Sequence, residues 1–514
     1  MNIICSQIGG ENLTINLLKK LKKELNWNPV FINTINQESK IELEKIFPDC
    51  GLVVSRELRQ GIINYNDFII KKSIDKNIIE QLSKFQSNVL SRFEDTSGYN
   101  ASFDDRLNFY YDILNFWNSI IVNKKPDLFF SYTLPHLQSD YPLYLLCKYV
   151  YSIPVIFFDG YPHFKNRFCI SNSLENLEEP FLREYQKLKN DDISEKVKTF
   201  IFEIKKNEYE KKPEHIKNYF DYLNSKSGTT KDMLSIISLT LKGKLFTNSN
   251  QTMKKNKIPW GNKESLMNNF EYIMYKRQLA KNSALLEKFY SDIAIKEINK
   301  SHTYFYFAAP YQPEASTTIS LGAYENLLQV MNIISEELPE NCKIYYKEHP
   351  SIFERTQKGS LSRNFEYYRK LKKLKNVIIV SHNINTYDLI RNSKAVIGVS
   401  GTTLWYSFAK MKPTIIFGNH WLSGSKSVFT VSSGDELNKV FKKVIDGYKV
   451  DEEEVLLYAQ AIYNSTIKNI KVAGGRTETG YGENYVSNSL NDPELVKMFD
   501  MVHKNYKIRY QKKL

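Results

Sequence analysis

The residues of this chain best suited to chemistry lie at the ends of two apolar runs in its second half. The run 343–346 ends in Lys347, Glu348, His349 and Pro350. The run 395–399 continues directly into Ser400, Gly401, Thr402 and Thr403. A histidine can donate to a phosphate oxygen, and hydroxyls at a helix start complete an anion cradle. Taken singly these residues are typical of loop and helix caps; together they predict a nucleotide-phosphate site.

A second polar segment, 310–318, follows the first apolar run of the second half. It contains two prolines, a carboxylate and three side-chain hydroxyls on serine and threonine. We expect Gln312 and Glu314 to contact the nucleotide from this loop. The alternative interpretation is a turn between two domains.

The third candidate group lies in the first half, where the predicted strand 154–158 is followed by Asp159, Gly160 and Tyr161. A carboxylate at the carboxyl edge of a sheet can act as general base towards a sugar hydroxyl. Glycine would let the backbone pass close to an acceptor. A turn cap before Pro162 is the competing interpretation.

His136 and Asp140 form a further candidate pair in the first half, after the predicted strand 127–131. Their spacing of four would place both on one face of a helix. There they could bind an acceptor or pair with each other, and the sequence leaves both open.

Motifs for several other chemistries are missing from the sequence. It contains no Walker loop, no His-Glu-x-x-His and no Cys-x-x-Cys, and no Asp-x-Asp motif lies near the second-half site. We therefore expect no metal site and no cofactor beyond a nucleotide-activated substrate.

Strands that alternate with helices predict the framework for these groups: an α/β protein with a parallel, doubly wound sheet in each half. The 514 residues exceed one ordinary core. We expect a first domain over 1–300, which carries a helical insertion at about 175–296. A second domain over 301–450 would hold the nucleotide, and a helical tail over 451–514 would pack back on the first.

The charge and composition of the chain limit the classes of partner that we expect it to bind. The formal charge is +14, from 71 basic and 57 acidic residues, which favours an anionic substrate or an acidic membrane surface. No nucleic-acid-binding signature is present, so we expect no nucleic-acid partner. The five scattered cysteines predict reduced thiols and a cytoplasmic protein, with peripheral contact to the inner membrane face as a candidate. No apolar run is long enough to predict a transmembrane helix.

Several of these motifs resemble bacterial capsule and surface-polysaccharide biosynthesis proteins. The similarity rests on these segments: Tyr311–Glu314 with Gly322, Tyr346–Ser351, and Asp388 through Ser400–Thr403 to Thr414. Such proteins are similar to the glycosyltransferases that transfer Kdo and sialic acid. The resemblance implies the GT-B fold, in which two Rossmann-like domains face a cleft.

The resemblance also implies roles for particular residues. Asp159-Gly160 would be the base motif, with Phe158 where the family often has a second acidic residue. His349-Pro350 would be the His-Pro motif, and Thr402-Thr403, with Ser400, the hydroxyl pair that holds the CMP of the donor. Gly160 and Tyr161, with His136 and Asp140, would then lie on the acceptor side.

The implied function is transfer of a sugar from a nucleotide donor, with a CMP-activated acidic sugar favoured, to a cell-surface polysaccharide or glycolipid. Three alternatives stay open. They are a CDP-polyol phosphotransferase of the teichoic-acid type, a UDP-sugar 2-epimerase and a non-catalytic polysaccharide-binding protein.

Overall fold

Two β-sheets of mainly parallel strands organise the protein, one in each half of the chain. The structure is a computed structural model. It describes residues 1–10, 12–59, 71–97, 102–161, 167–174, 179–206, 229–247, 268–313, 321–355, 358–468, 476–477, 480–481, 490–491 and 493–510. Glu314 and most of residues 473–485 lie outside these ranges.

The first sheet is built from the apolar runs of the N-terminal half. Its strands are β1 Asn2–Ile8, β2 Asn28–Thr34, β3 Gly51–Val54, β4 Leu128–Ser131, β5 Val155–Tyr161 and β6 Arg167–Ser171. They lie in the order β3-β2-β1-β4-β5-β6, followed by a short strand from the C-terminal tail. All pairs from β3 to β5 are parallel, and β6 is antiparallel to β5. Successive strands are added towards one edge of the sheet from β1 to β3 and towards the other edge from β4 onwards, so the strand order reverses between β1 and β4.

The second sheet is entirely parallel and repeats this winding. Its strands are β7 Thr303–Ala308, β8 Cys342–Lys347, β9 Val377–Val380, β10 Val396–Gly398, β11 Thr414–Ile416 and β12 Val428–Thr430. They lie in the order β12-β11-β10-β7-β8-β9. This is the doubly wound order of nucleotide-binding domains, with the reversal between β7 and β10. The predicted fold class, α/β with two Rossmann-like domains, is confirmed.

Helices cover both faces of each sheet. In the first domain these are α1 Asn12–Leu25, α2 Gln37–Ile46, α3 Ser55–Arg59, α4 Lys76–Ser97, α5 Phe103–Lys124 and α6 Tyr141–Leu145. The insertion contributes α7 Glu179–Lys187, α8 Glu195–Lys206, α9 Thr229–Leu241 and α10 Asn269–Ile293. The second domain and tail contribute α11 Leu327–Glu337, α12 Phe365–Lys373, α13 Thr386–Asn392, α14 Thr402–Ala409, α15 Gly434–Ile445, α16 Glu452–Ser465 and α17 Pro493–Tyr510.

Helices α7, α8 and α10 of the insertion pack on the second domain, whereas the sequence led us to expect the insertion on the first. Val197 and Ile201 of α8 share a core with Trp405 and Tyr458. Tyr290 of α10 lies in the core on the other face of the same sheet. Helical periodicity indicates that these segments have an apolar face, but it does not identify the sheet that this face covers.

Among its described residues, the tail returns to the first domain at residues 466–468 and again in α17, while α16 packs on the second. Strand β13, Ile467–Lys468, pairs antiparallel with β6. Arg167 of β6 donates to Thr466 Oγ1 at 2.7 Å and to the Tyr463 carbonyl at 2.9 Å. Leu495 and Val502 of α17 are buried in the core that contains Leu17 of α1. Within the described ranges, no helix is both long and apolar enough to cross a membrane.

Candidate functional site

The two predicted phosphate-binding loops lie on opposite sides of β7, at the carboxyl ends of β8 and β10. Both strands pair directly with β7, so their ends are two strand spacings apart, about 10 Å. This edge, at the reversal of strand order, is where open α/β sheets bind ligands. The loop after β7, which contains Gln312, lies between them in the strand order.

The turn after β10 leaves room above the first turn of α14. Gly401 is the N-cap residue, with φ 105° and ψ 164°, and it makes no side-chain cap hydrogen bond. A Cβ atom built on Gly401 would meet nothing within 4 Å. Ser400, Thr402 and Thr403 are half-buried around this turn. The N–H groups of a first helical turn and its positive dipole end can therefore meet an anion here.

His349 is exposed and caps a short helical turn, Pro350–Ile352. Its Nδ1 accepts a hydrogen bond from the Ser351 N–H at 3.2 Å. An accepting Nδ1 requires the proton of the neutral ring to be on Nε2. The tautomer that caps this turn is thus the one that can donate from Nε2 to a phosphate oxygen. The ring of Tyr311 lies beside it, with 5.9 Å between centroids.

Glu348 is buried directly beneath His349, and its carboxylate is occupied by neighbouring groups. Oε1 accepts from the His349 N–H at 3.0 Å. Oε2 accepts from Tyr346, Tyr368 and Arg363 Nε, each at 2.9 Å. A nucleotide contact was expected for Glu348; the geometry instead makes it a positioning residue for the His349 backbone.

Arg363 joins this buried carboxylate to the loop after β7. Its Nη1 donates to Gln312 Oε1 at 3.0 Å, and Gln312 Nε2 donates to the Glu325 carbonyl at 3.1 Å. Burial alone would lower the pKa of the guanidinium, but Glu348 and the surrounding tyrosines hold it above its ordinary value. Gln312 therefore uses its side-chain amide to fix the loop, which differs from the expected contact with a ligand.

Lys347 also serves the framework of the site. Its ammonium donates to the Ile384 carbonyl at 2.6 Å and to Thr386 Oγ1 at 2.8 Å. The residue is 6% exposed. It fixes the loop between β9 and α13. Of the run 347–350, His349 is the residue whose side chain is exposed at the edge of the sheet, with the half-buried Pro350 beside it.

Asp159 and Gly160 lie within β5, whereas we predicted that the strand ends before them. The antiparallel partner β6 extends the ladder, and Asp159 pairs with Cys169 and Gly160 with Phe168. Because β5 pairs with β4 only as far as Phe157, Asp159 stands beyond the β4 end at the carboxyl edge of the sheet. Its side chain is half-buried. Tyr161 ends the strand opposite Arg167.

His136 and Asp140 do not share a helix face, because α6 begins only at Tyr141. Nδ1 of His136 donates to the Leu134 carbonyl at 2.5 Å. Asp140 is fully buried: Oδ2 accepts from Gln7 Nε2 at 2.8 Å and Oδ1 from the Leu137 N–H at 2.7 Å. The acceptor role predicted for Asp140 is therefore replaced by that of an anchor between β1 and the loop after β4.

Sequence reasoning missed the buried residues that hold the His349 loop. Arg363, Tyr290 and Tyr368 stand 15 to 58 positions from Glu348 and contact it or its backbone. No local sequence pattern signals these contacts, because the partners lie far apart along the chain. Among the described residues, no group of three or more histidine, cysteine or acidic side chains could hold a metal ion.

Comparison with known proteins gives one sequence match and several distant structural ones. Among curated proteins, none is significantly similar to this chain. The β-Kdo 2,7-transferase of KpsC from Thermosulfurimonas dismutans is 9% identical over 67% of this chain and 79% of its own, with a TM-score of 0.28. The β-Kdo 2,4-transferase of the same protein is 17% identical over 36% of this chain, with a TM-score of 0.24. This chain spans 55% of the length of that structure.

The UDP-GlcNAc 2-epimerase of Methanocaldococcus jannaschii is 12% identical over 90% of this chain and 99% of its own, with a TM-score of 0.22. These structural scores are too low to support an argument about activity.

The sequence match is to a family described as capsule polysaccharide biosynthesis proteins. It covers residues 207–425, which include the His349 loop and the Gly401 turn, so the resemblance inferred from the motifs is confirmed for this part of the chain.

Proposed function

We propose that this protein is a glycosyltransferase of capsule or surface-polysaccharide synthesis that takes its sugar from a nucleotide donor. The observation that carries the proposal is the pair of loops at the switch point of the second sheet. One offers an exposed histidine whose capping tautomer carries its proton on Nε2, and the other offers an open helix start at Gly401. The family match over 207–425 supports the same conclusion.

In the proposed reaction, an acceptor hydroxyl oxygen attacks the anomeric carbon of the bound sugar. Asp159, at the carboxyl edge of the first sheet, takes the hydroxyl proton. The bond from the anomeric carbon to the donor phosphate breaks, and its electron pair leaves with the phosphate. His349 Nε2–H and the Ser400, Thr402 and Thr403 hydroxyls stabilise that charge, which is the electrostatic contribution that usually dominates.

We favour a CMP-activated acidic sugar as donor, because the motif order matches that of the Kdo- and sialic-acid-type transferases. Such a donor leaves as a monophosphate, whose charge one histidine, three hydroxyls and a helix start can stabilise through hydrogen bonds and the helix dipole. The proposed acceptor is a cell-envelope polysaccharide or glycolipid.

The proposal is tested with Asp159→Asn, which keeps the size of the side chain and removes its basicity. We expect transfer from the donor to fall by about two to four orders of magnitude, the usual contribution of a general base, with nucleotide affinity unchanged. Asp127→Asn is the matched control, because Asp127 is an exposed aspartate that precedes β4 and accepts from the Asn2 N–H. Equal activity of Asp159→Asn and wild type would overturn the assignment of the base.

A further inference from the structure

The helical insertion carries an apolar face that points to solvent. On α9, Met233 is 54% exposed, Leu234 64%, Ile237 53% and Leu241 83%. At 3.6 residues per turn, these four positions fall within an arc of about 100°. They therefore form one continuous strip along the helix, here called the exposed stripe.

The turn that follows α9 connects this helix to the start of α10. Gly243 ends α9 in a left-handed conformation with φ 62°, and the Lys244 N–H donates back to the Leu239 carbonyl at 2.8 Å. After this turn the backbone contacts the start of α10: the Phe270 N–H donates to the Leu245 carbonyl at 3.0 Å. Such a C-terminal cap fixes the direction in which the chain leaves the helix.

Positive charge borders the apolar surface at the C-terminal end of α9. Lys242 and Lys244 are exposed there, and Phe246 adds a ring that is 73% exposed. An apolar face edged by lysines is the composition of helices that lie in the interface of a membrane with acidic lipids. The formal charge of +14 favours the same kind of surface.

We propose that α9 and the residues that follow it to Phe246 dock on a bilayer containing acidic lipids. The exposed stripe would enter the boundary between headgroups and acyl chains, and the two lysines would meet the headgroup phosphates. The thirteen residues of α9 extend about 20 Å, short of the ~30 Å hydrocarbon core, so the helix would lie along the surface. This inference does not depend on the proposed transferase activity.

A second copy of the chain fits this surface less well. A stable protein interface buries about 800 Å² on each partner, whereas a helix face about 20 Å long and 10 Å wide has a footprint on the order of 200 Å². Parallel two-fold pairing of α9 would also bring Lys242 and Lys244 of both copies together, where like charges repel.

Two other basic clusters that can be seen in the sequence differ from this surface in the structure. Lys20, in the cluster 19–23, is 6% exposed and pairs with Glu24. Arg369, in the cluster 369–375, pairs with Glu366 of the same helix. Among the described residues, neither of these two clusters adjoins a strip of exposed large apolar side chains, whereas the end of α9 does.

The test is co-sedimentation of the full chain with phosphatidylcholine vesicles, with and without 30% phosphatidylglycerol. We expect wild type to bind the acidic vesicles, and Leu234→Ser with Leu241→Ser to lower its partition coefficient by about tenfold or more. Lys242→Glu with Lys244→Glu should lower it by a similar factor on acidic vesicles. Ile41→Ser is the matched control, because Ile41 is 49% exposed on α2 of the first domain, and it should bind as wild type does.

Size-exclusion chromatography of the same proteins completes the test. All four should elute at one position without vesicles. The proposal is overturned if wild type does not bind acidic vesicles, or if the double serine variant binds as well as wild type. It is also overturned if wild type elutes as a dimer that the double serine variant converts to a monomer, because the exposed stripe would then contact a second copy.

Discussion

The imidazole of His349 combines two roles that substitutions can separate. Nδ1 caps the turn at Ser351, and Nε2 is the donor assigned to the phosphate. Asparagine can accept from the Ser351 N–H but is too short to reproduce Nε2. Alanine removes both groups.

We expect His349→Asn and His349→Ala to weaken nucleotide affinity by roughly tenfold to a hundredfold, the usual loss for one hydrogen bond to a charged group. Only His349→Ala should also lower the melting temperature. Isothermal titration and calorimetric unfolding of the two variants measure these effects. Wild-type affinity in His349→Asn would contradict the role of Nε2.

The ion pair below His349 provides a second prediction. Arg363 and Glu348 have side chains 3% and 0% exposed. Glu348→Gln leaves the guanidinium without its charged partner in a buried site, which costs about 3–5 kcal/mol of unfolding free energy. Urea unfolding of the variant measures this loss.

Glu366→Gln is the control for that experiment. Glu366 pairs with Arg369 at 3.8 Å, and both side chains are more than half exposed. Such a pair contributes at most about 1 kcal/mol. If the two variants lost equal stability, the Arg363–Glu348 pair would not hold the loop as described.

The sequence predicted that these polar residues lie at the ends of strands, but it did not predict the direction in which each side chain points. Lys347, Glu348 and His349 are consecutive, and the first two project into the two packed faces while the third faces solvent. Asp140 looks like a ligand-binding carboxylate in the sequence, yet Gln7 of β1 donates a hydrogen bond to it. Contacts between residues distant in sequence decide these outcomes, and no local pattern carries them.

At the scale of elements, the start of α14 depends on the backbone of Gly401. Its φ of 105° is unfavourable for any other residue, although a Cβ would meet no atom within 4 Å. Gly401→Ala should therefore cost about 1–3 kcal/mol of stability through backbone strain. Because the added methyl group would occupy the space above the helix start, it should also weaken nucleotide affinity.

Gly447→Ala separates these two effects. Gly447 has φ 97° and equal room for a Cβ, but it follows α15 at the opposite end of that helix from its cap at Ser433. We expect a similar fall in melting temperature with unchanged affinity in titration calorimetry. A Gly401→Ala variant that binds nucleotide as tightly as Gly447→Ala would contradict the anion site at α14.

The alternating pattern was sufficient to predict both sheets, because buried parallel strands read as apolar runs. Strand β5 was predicted too short, since the hairpin with β6 that extends it depends on pairing rather than on composition. The placement of α7 and α8 was also missed. Their apolar faces are evident in the sequence, but the partner surface is formed by Trp405 and Tyr458, more than 200 residues later.

At the scale of the whole molecule, α17 ties the end of the chain to its beginning. Leu495 and Val502 are fully buried against the first domain. Leu495→Ala should lower the melting temperature of that domain by roughly 5–15 °C through the cavity it creates. Asp500→Ala, at an exposed position of the same helix, should leave it unchanged, as differential scanning calorimetry would measure.

The return of the tail was expected from the order of elements, and the packing of α17 agrees with it. Strand β13 and the contacts of Arg167 with Thr466 and Tyr463 were not foreseen, because two-residue strands leave no periodic signal. The first domain is thus completed by residues from both ends of the chain.

The most direct test of the central claim is calorimetric titration of the protein with CMP, CDP, UDP and GDP, repeated with His349→Asn and Gly401→Ala. We predict selective binding of CMP that weakens at least about tenfold in both variants. Binding of a nucleotide that neither variant weakens, or no binding of any of the four, would contradict a donor site between the His349 loop and the Gly401 turn.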